Sequence, residues 1–241
     1  MGRAHEVRAA SMAKTAAKKS KIYSRYGKEI YIAAKSGVPD PDMNLTLRSK
    51  IKEAKANQVP ADVIKRAIEK AKGGSNESYD SLRYEGFGPG AATVIVDCLT
   101  DNSNRTIAEM NQCFNKSHCK MGVKGSVSFN YDNLGVISFN YEDEDTMLDT
   151  LIEADVDVDD IEVEEGEMTV YVSPADLHKA QEAIDGLLPN VEYSVCAIKM
   201  LPQEYTTLTD EHDKELWNRL LTLLDEVDDV QEVYHNVLDA E

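Results

Sequence analysis

Aromatic side chains are scarce in this chain, with one Trp and four Phe among 241 residues, so its cores must be built mainly from aliphatic side chains and tyrosine. Four cysteines (Cys98, Cys113, Cys119, Cys196) form no CxxC pair, which argues against a paired-cysteine metal site or a disulfide framework and for thiols that act as small hydrophobes. His118-Cys119 together with Cys113 begins a zinc pattern that no further ligands complete. No apolar run approaches the ~20 residues needed to span a bilayer. The start Met1-Gly2-Arg3-Ala4-His5 lacks the apolar stretch of a secretory signal, so the expectation is a cytoplasmic protein that avoids membranes. Catalytic signatures are missing as well. The five histidines (His5, His118, His178, His212, His235) are scattered, and neither an HExxH nor a GxSxG element occurs. The glycines of Arg83-Tyr84-Glu85-Gly86-Phe87-Gly88-Pro89-Gly90 precede a strand and are followed by no Gly-Lys-Ser/Thr, so they read as a turn or domain junction instead of a phosphate loop. Acidic residues crowd Glu142-Asp143-Glu144-Asp145 and Asp155 through Glu165 without EF-hand spacing, and solvated faces explain most of them. A carboxylate-based hydrolase is the weakest reading. The expectation is a protein that is not an enzyme, with no cofactor, no metal and no small-molecule substrate.

What is present is charge of two signs, separated along the chain. Residues 1–72 hold 17 of the 26 basic residues and 7 of the 44 acidic ones, so a basic head is joined to an acidic body. Such segregation points to a polyanion partner for the head, or to neutralisation of the body by the head. Lys14, Lys18, Lys21, Arg25 and Lys28 recur at helical steps and fall within about 80° of one helix surface, away from the apolar Ile22, Tyr26, Ile30 and Ala33. Arg48, Lys52 and Lys55 repeat the device, and Lys65, Arg66 and Lys70 add charge to a third segment. The candidate nucleic-acid contacts are therefore Lys14, Lys18, Lys21, Arg25, Lys28, Arg48, Lys52, Lys55, Lys65 and Arg66. Tyr23, Tyr26 and Tyr31 are suited to base stacking or to core packing, the latter favoured for Tyr26. Because salt screens exposed charges beyond ~8 Å, this reading requires the acidic body to be held away from the head, with Gly73-Gly74-Ser75-Asn76 as spacer. Asn104, Arg105 and Thr106 lie where a strand meets a helix N-terminus, as a candidate anion site or simple capping.

The organisation reads as α+β. Helical apolar spacing over residues 22–33, 47–54 and 63–71 predicts an N-terminal domain (1–74) of three to four helices. Beyond Gly73-Gly74 the period changes to two. Strand Leu134–Tyr141, a helix around Met147–Ile152, strands near Val156–Val163 and Met168–Val172, a helix opened by Ser173-Pro174-Ala175-Asp176 and strand Val191–Met200 give β-α-β-β-α-β over residues 133–199. Strand Thr93–Leu99, helix Asn102–Asn115, strands at 125–131 and 203–207, helix Asp210–Glu226 and strand Val230–Val237 repeat that figure. The expectation is two ferredoxin-like domains, with 133–199 inserted into a discontinuous domain of 75–132 and 200–241.

Gly37-Val38-Pro39-Asp40-Pro41-Asp42, Ala67-Ile68-Glu69-Lys70-Ala71, Tyr84-Glu85-Gly86-Phe87-Gly88-Pro89, Asn104-Arg105-Thr106 and Asp228–Val237 together make the chain closely resemble the YebC/PmpR family, particularly its YeeN-like branch. The resemblance runs nearly end to end. It implies a helical N-terminal domain, two α+β domains, no catalytic residues and no cofactor. Its functional implication is divided between DNA-binding transcriptional regulation and, as in mitochondrial translational activators and relatives linked to relief of ribosome stalling, action on the ribosome. Two departures stand out: Arg3-Ala4-His5-Glu6 replaces a common His-Ser-Lys-Trp, and Ser117-His118-Cys119 replaces a common Gly-Gly. The first touches contacts of the extreme N-terminus, the second a turn after a helix. The combined expectation is a monomeric regulator of gene expression that binds DNA, or alternatively ribosomal RNA on the ribosome.

Overall fold

The computed structural model describes residues 19–73 and 78–238. They fall into two compact units, Asn130–Gln203 on one hand and the described residues of 19–129 with those of 204–238 on the other. Each is considered by itself.

In the larger unit, the head contributes α1 (Lys19–Lys35), α2 (Leu45–Ala56) and α3 (Ala61–Lys72). The 3.6-residue period places Tyr26, Ile30 and Ala33 of α1, Leu47 and Ala54 of α2, and Ile64 and Ala67 of α3 in one core. Asn44 opens α2 by accepting from Leu47 N at 3.0 Å, which supplies one of the donors a helix N-terminus leaves unmade. Lys14 and Lys18 lie outside the described residues.

The same unit continues with β1 (Asp80–Phe87), β2 (Thr93–Thr100), α4 (Ser103–Lys116) and β3 (Lys120–Met121). A four-stranded antiparallel sheet of order β3-β1-β2-β8 is completed by the C-terminal strand β8 (Val230–His235), which enters after α7 (Glu211–Glu226). Met110 and Phe114 of α4 and Trp217, Leu220 and Leu224 of α7 share a core with Val94, Val96 and Cys98 of the sheet.

Three local readings change here. Arg83–Phe87 is strand, not turn, paired along its length with β2. Its glycines are there for close packing: a Cβ on Gly86 would stand 2.2 Å from Phe114 Cε1, and one on Gly88 2.6 Å from the Trp217 ring. Tyr131 opens the next strand, but the segment 125–130 is not one. It is a loop ending in a 3-10 turn (Ser128–Asn130), held by the buried Glu85 carboxylate, which accepts from Gly125 N, Val127 N and Ser128 N at 2.7–2.9 Å. Burial pushes the Glu85 pKa up, and those donors outweigh it to leave it below the usual range. Residues 203–207 contribute only the isolated bridge Thr206–Val237.

The smaller unit runs β4 (Tyr131–Asn140), α5 (Glu144–Glu153), β5 (Val158–Glu164), β6 (Glu167–Val172), α6 (Leu177–Leu187) and β7 (Tyr193–Pro202). Its antiparallel order β5-β6-β4-β7 is the ferredoxin-like figure. Met147 and Leu151 of α5 and Ala180 and Ile184 of α6 cover Ile137, Phe139, Met168 and Val170 of the sheet. Helix α6 starts three residues later than Ser173-Pro174 signalled, because the Asp176 side chain accepts from Asp157 N at 3.1 Å and the turn Asp176 N to Ser173 O precedes the helix.

Candidate nucleic-acid interface

The basic stripe of α1 turns inward. Lys21 Nζ donates to Asp225 O at 2.6 Å and lies 3.7 Å from the Asp225 carboxylate. Arg25 donates to Gln231 O and Glu29, and pairs with Glu232. Lys28 Nζ reaches Asp229 Oδ1 at 3.2 Å and the carbonyls of Leu99 and Asp228. Two of these lysines thus meet the carbonyl end of α7 and the turn after it, where a helix presents partial negative charge. The side chains of Lys21, Arg25 and Lys28 are only 24%, 16% and 17% exposed. The spacer expectation is corrected accordingly: in this unit α1 lies directly on acidic groups of the body.

Ion pairing continues into the head. Glu29 bridges Arg25 at 3.0 Å and Lys50 at 3.1 Å, Lys50 pairs with Glu53 at 2.9 Å, and Glu53 accepts from Tyr26 Oη at 3.2 Å. Burial disfavours the Arg25 charge, but Glu232 and Glu29 more than compensate and its pKa is raised. Tyr26 and Tyr31 are buried. Their rings belong to the head core, which removes them as stacking platforms.

The candidate anion site already holds an anion from within the chain. Asp229, 3% exposed, accepts through Oδ2 from Arg105 Nη2 at 2.7 Å, Thr106 Oγ1 at 2.9 Å and Thr100 Oγ1 at 3.0 Å. Burial alone would raise the Asp229 pKa; the bonds from Arg105, Thr106, Lys28 and Thr100 overcome it and hold the carboxyl below its ordinary range. Asn102 caps α4, accepting from Arg105 N at 3.1 Å.

Within the head, most exposed cations lie on α2 and α3, with Lys35 exposed at the end of α1 and Lys50 of α2 tied to Glu29 and Glu53. Arg48, Lys52 and Lys55 are exposed on α2, and Lys65, Arg66, Lys70 and Lys72 on α3. At ~100° per residue the α2 trio falls within about 60° of helix surface. Residues 45–72 carry eight basic and three acidic side chains. Arg48 is fixed by Pro41 O at 3.0 Å and Asp42 O at 2.8 Å, and Arg66 pairs with Asp62 at 2.7 Å. Lys72, seven residues beyond Lys65 on the same face, is the cation that the sequence reading passed over; the i, i+7 spacing was its signal. Among the described residues, no group of three or more His, Cys, Asp or Glu is arranged to hold a metal ion, and no helix is long and apolar enough to cross a membrane.

A helical head and two four-stranded antiparallel sheets define the chain as an α+β protein. Residues 3–74 match the model of the TACO1/YebC protein N-terminal domain, and residues 79–237 match that of the TACO1/YebC second and third domain. The chain belongs to the TACO1/YebC family. It is 52% identical to a probable transcriptional regulatory protein of Vibrio campbellii over 98% of this chain and 99% of that one. A probable transcriptional regulatory protein of Alteromonas mediterranea is 48% identical over 99% of both. Among solved structures, the conserved hypothetical protein Aq1575 from Aquifex aeolicus matches with a TM-score of 0.77 at 32% identity, over 94% of this chain and 93% of that one.

Proposed function

We propose that this protein is a non-enzymatic regulator of gene expression that binds nucleic acid through the exposed face of α2 and α3, with Arg48, Lys52, Lys55, Lys65 and Arg66 as phosphate contacts. The observation that carries the proposal is a division among the head's cations: Lys21, Arg25 and Lys28 of α1 are engaged inside the unit, whereas Arg48, Lys52, Lys55, Lys65 and Arg66 of α2 and α3 are exposed. The names of its relatives favour transcription, hence DNA, as the first reading. It acts in the cytoplasm as a monomer, with no cofactor and no small-molecule substrate.

One observation favours a second reading, in which the polyanion is ribosomal RNA and the protein is a translation factor. Helices α2 and α3 are joined by four residues, as in a helix-turn-helix, yet the second helix opens Ala61-Asp62-Val63. A major-groove reader uses the N-terminal residues of that helix on base edges. Ala61, Asp62 and Val63 include no Arg, Lys, Asn or Gln for the bidentate contacts that discriminate bases most strongly, and phosphate contact with little base readout suits a structured RNA equally.

The test is fluorescence anisotropy of the full chain on duplex DNA and on ribosomal RNA fragments across a salt series. The triple variant Lys52→Glu/Lys55→Glu/Lys65→Glu should weaken binding and shallow the log–log salt slope by about 2.7 on duplex or about 2.1 on single strands. An unchanged slope would refute the assignment. Sedimentation of lysate with and without nuclease separates the readings, since co-migration with ribosomal particles supports translation and free migration with sequence-selective duplex binding supports transcription.

A further inference from the structure

Helix α3 and the loop between α1 and α2 enclose a cleft of about 360 Å³ on the head. Its floor and walls are apolar: Ala61, Ile64 and Ile68 from α3, and Pro39 and Pro41 from the loop. Lys65 and Lys72 stand on its rim, one on either side of Ile68 along α3, with Asp40 and Glu69 as acceptors. We propose that this cleft receives a single unpaired nucleobase of a single-stranded or looped nucleic-acid segment, while Lys65 and Lys72 hold the phosphates flanking it. The inference rests on the nucleic-acid reading above and narrows it to a substrate class.

The loop wall is built to hold its shape. Asn44 donates to Ala33 O at 2.8 Å and Val38 O at 3.0 Å, and Arg48 clamps the carbonyls of Pro41 and Asp42. Met43 N bonds Asp40 O at 3.1 Å, and Asp42 N bonds Asp40 Oδ1 at 3.0 Å. Gly37 permits this packing, since a Cβ there would stand 2.8 Å from Asn44 Nδ2. Two prolines further limit the backbone. A wall fixed before binding lowers the ordering entropy that a ligand must overcome.

The size and charge of the cleft select the occupant. Its volume sits at the lower end of the ~300–1,000 Å³ typical of small-ligand sites, enough for one planar ring system and its sugar. An aliphatic slot with lysines at its mouth fits an unstacked base, held between apolar side chains, and its phosphodiester. Base-paired duplex buries its base faces in the stack and has none to offer. Asp40 and Glu69 favour bases with exocyclic amines, which would donate to them.

The test compares three hairpins of identical stem: an unpaired adenine loop, the same loop with abasic sites, and a fully paired duplex of equal length. RNA and DNA versions form separate arms, which identify the strand chemistry. Full-length protein should bind the base-bearing loop at least about fivefold tighter than the abasic loop, which is what burying about 40 Å² of apolar surface would give. Ala61→Leu, at an exposed position, fills the cleft without altering charge and should abolish that preference while leaving the abasic affinity and salt slope intact. A 2-aminopurine in the loop gives an affinity-independent readout: its emission should rise on binding wild type, and stay unchanged on binding Ala61→Leu. Thermal melting checks that Ala61→Leu folds; Lys72→Gln, on the rim, serves as the second variant and should weaken base-bearing and abasic loops alike, shallowing the salt slope by about 0.7 on single strands. Equal wild-type affinity for base-bearing and abasic loops, with a normal salt slope, would overturn the cleft proposal and leave the cationic surface standing. Absence of binding to every nucleic acid would overturn both.

Discussion

Replacing Asp229 by Asn isolates one buried carboxylate on which four donors converge. In wild type Oδ2 accepts from Thr100, Thr106 and Arg105, and Oδ1 faces Lys28. An asparagine keeps one oxygen for the first three and turns its amide nitrogen toward the Lys28 ammonium, donor against donor. Hydrogen bonds to a charged partner contribute about 1.5–3 kcal/mol and neutral ones about 0.5–1.5. Weakening the two threonine bonds by about 1 kcal/mol each and losing the Lys28 contact, discounted for its partial exposure, comes to about 3 kcal/mol. That is a large share of an ordinary domain stability of about 5–15 kcal/mol. The assay is urea unfolding followed by the fluorescence of Trp217, the one tryptophan of the chain and a buried residue of the same unit. Linkage adds a second requirement. The folded pKa of Asp229 is depressed, so its contribution is complete above the unfolded value near 3.9 and is lost as pH falls through the folded value. The deficit of Asp229→Asn should therefore be full at pH 7 and shrink below about pH 4. A deficit under about 1 kcal/mol at pH 7, or one that persists undiminished into acid, would refute the convergence of those donors on a charged carboxylate.

Two further outcomes follow from the same unit. Gly86→Ala puts a methyl into the Phe114 ring and against Lys120 O, an overpacking that should cost about 1–3 kcal/mol; an unchanged urea midpoint would contradict the close approach of β1 to α4. His235, edge-on to Trp217 at 5.7 Å, has its imidazole pKa pushed by burial down to about 4. The unfolded chain takes up the proton near pH 6.5 and the folded one does not, so stability should decline between about pH 6.5 and 4. His235→Gln should flatten that interval, and a variant with an unaltered acid limb there would dismiss the buried neutral ring.

Apolar periodicity exposed most of the fold in advance, because Ile30, Leu47, Met147 and Leu220 occupy buried positions whose helical spacing depends only on nearby residues. Long-range chemistry was harder to see. Glu85 organises Gly125–Ser128 from forty residues away, so a segment with strand-like composition becomes a loop. Gly86 and Gly88 resemble turn glycines until Phe114 and Trp217 arrive against them. The α1 stripe has the spacing of a phosphate-binding face, and nothing local in Lys21, Arg25 or Lys28 reveals that Asp225, Glu232 and Asp229 will meet them. Conversely, Arg48, Lys52, Lys55, Lys65 and Arg66 were legible as charge, and their exposure, in contrast to the engaged Lys21, Arg25 and Lys28, depends on residues far along the chain.

The seating of α1 on the end of α7 and on β8 also orders events in time. Its acidic partners lie about 200 residues downstream. At ~5–20 residues per second they emerge from a ribosome some ~10–40 s after α1 is made. Residues 130–203, a compact unit of their own, are synthesised in that interval. Until β8 is made, the head lacks Asp225, Asp229 and Glu232 and Arg25 has only Glu29 of its own helix, so closure of the sheet by β8 is the step that seats α1.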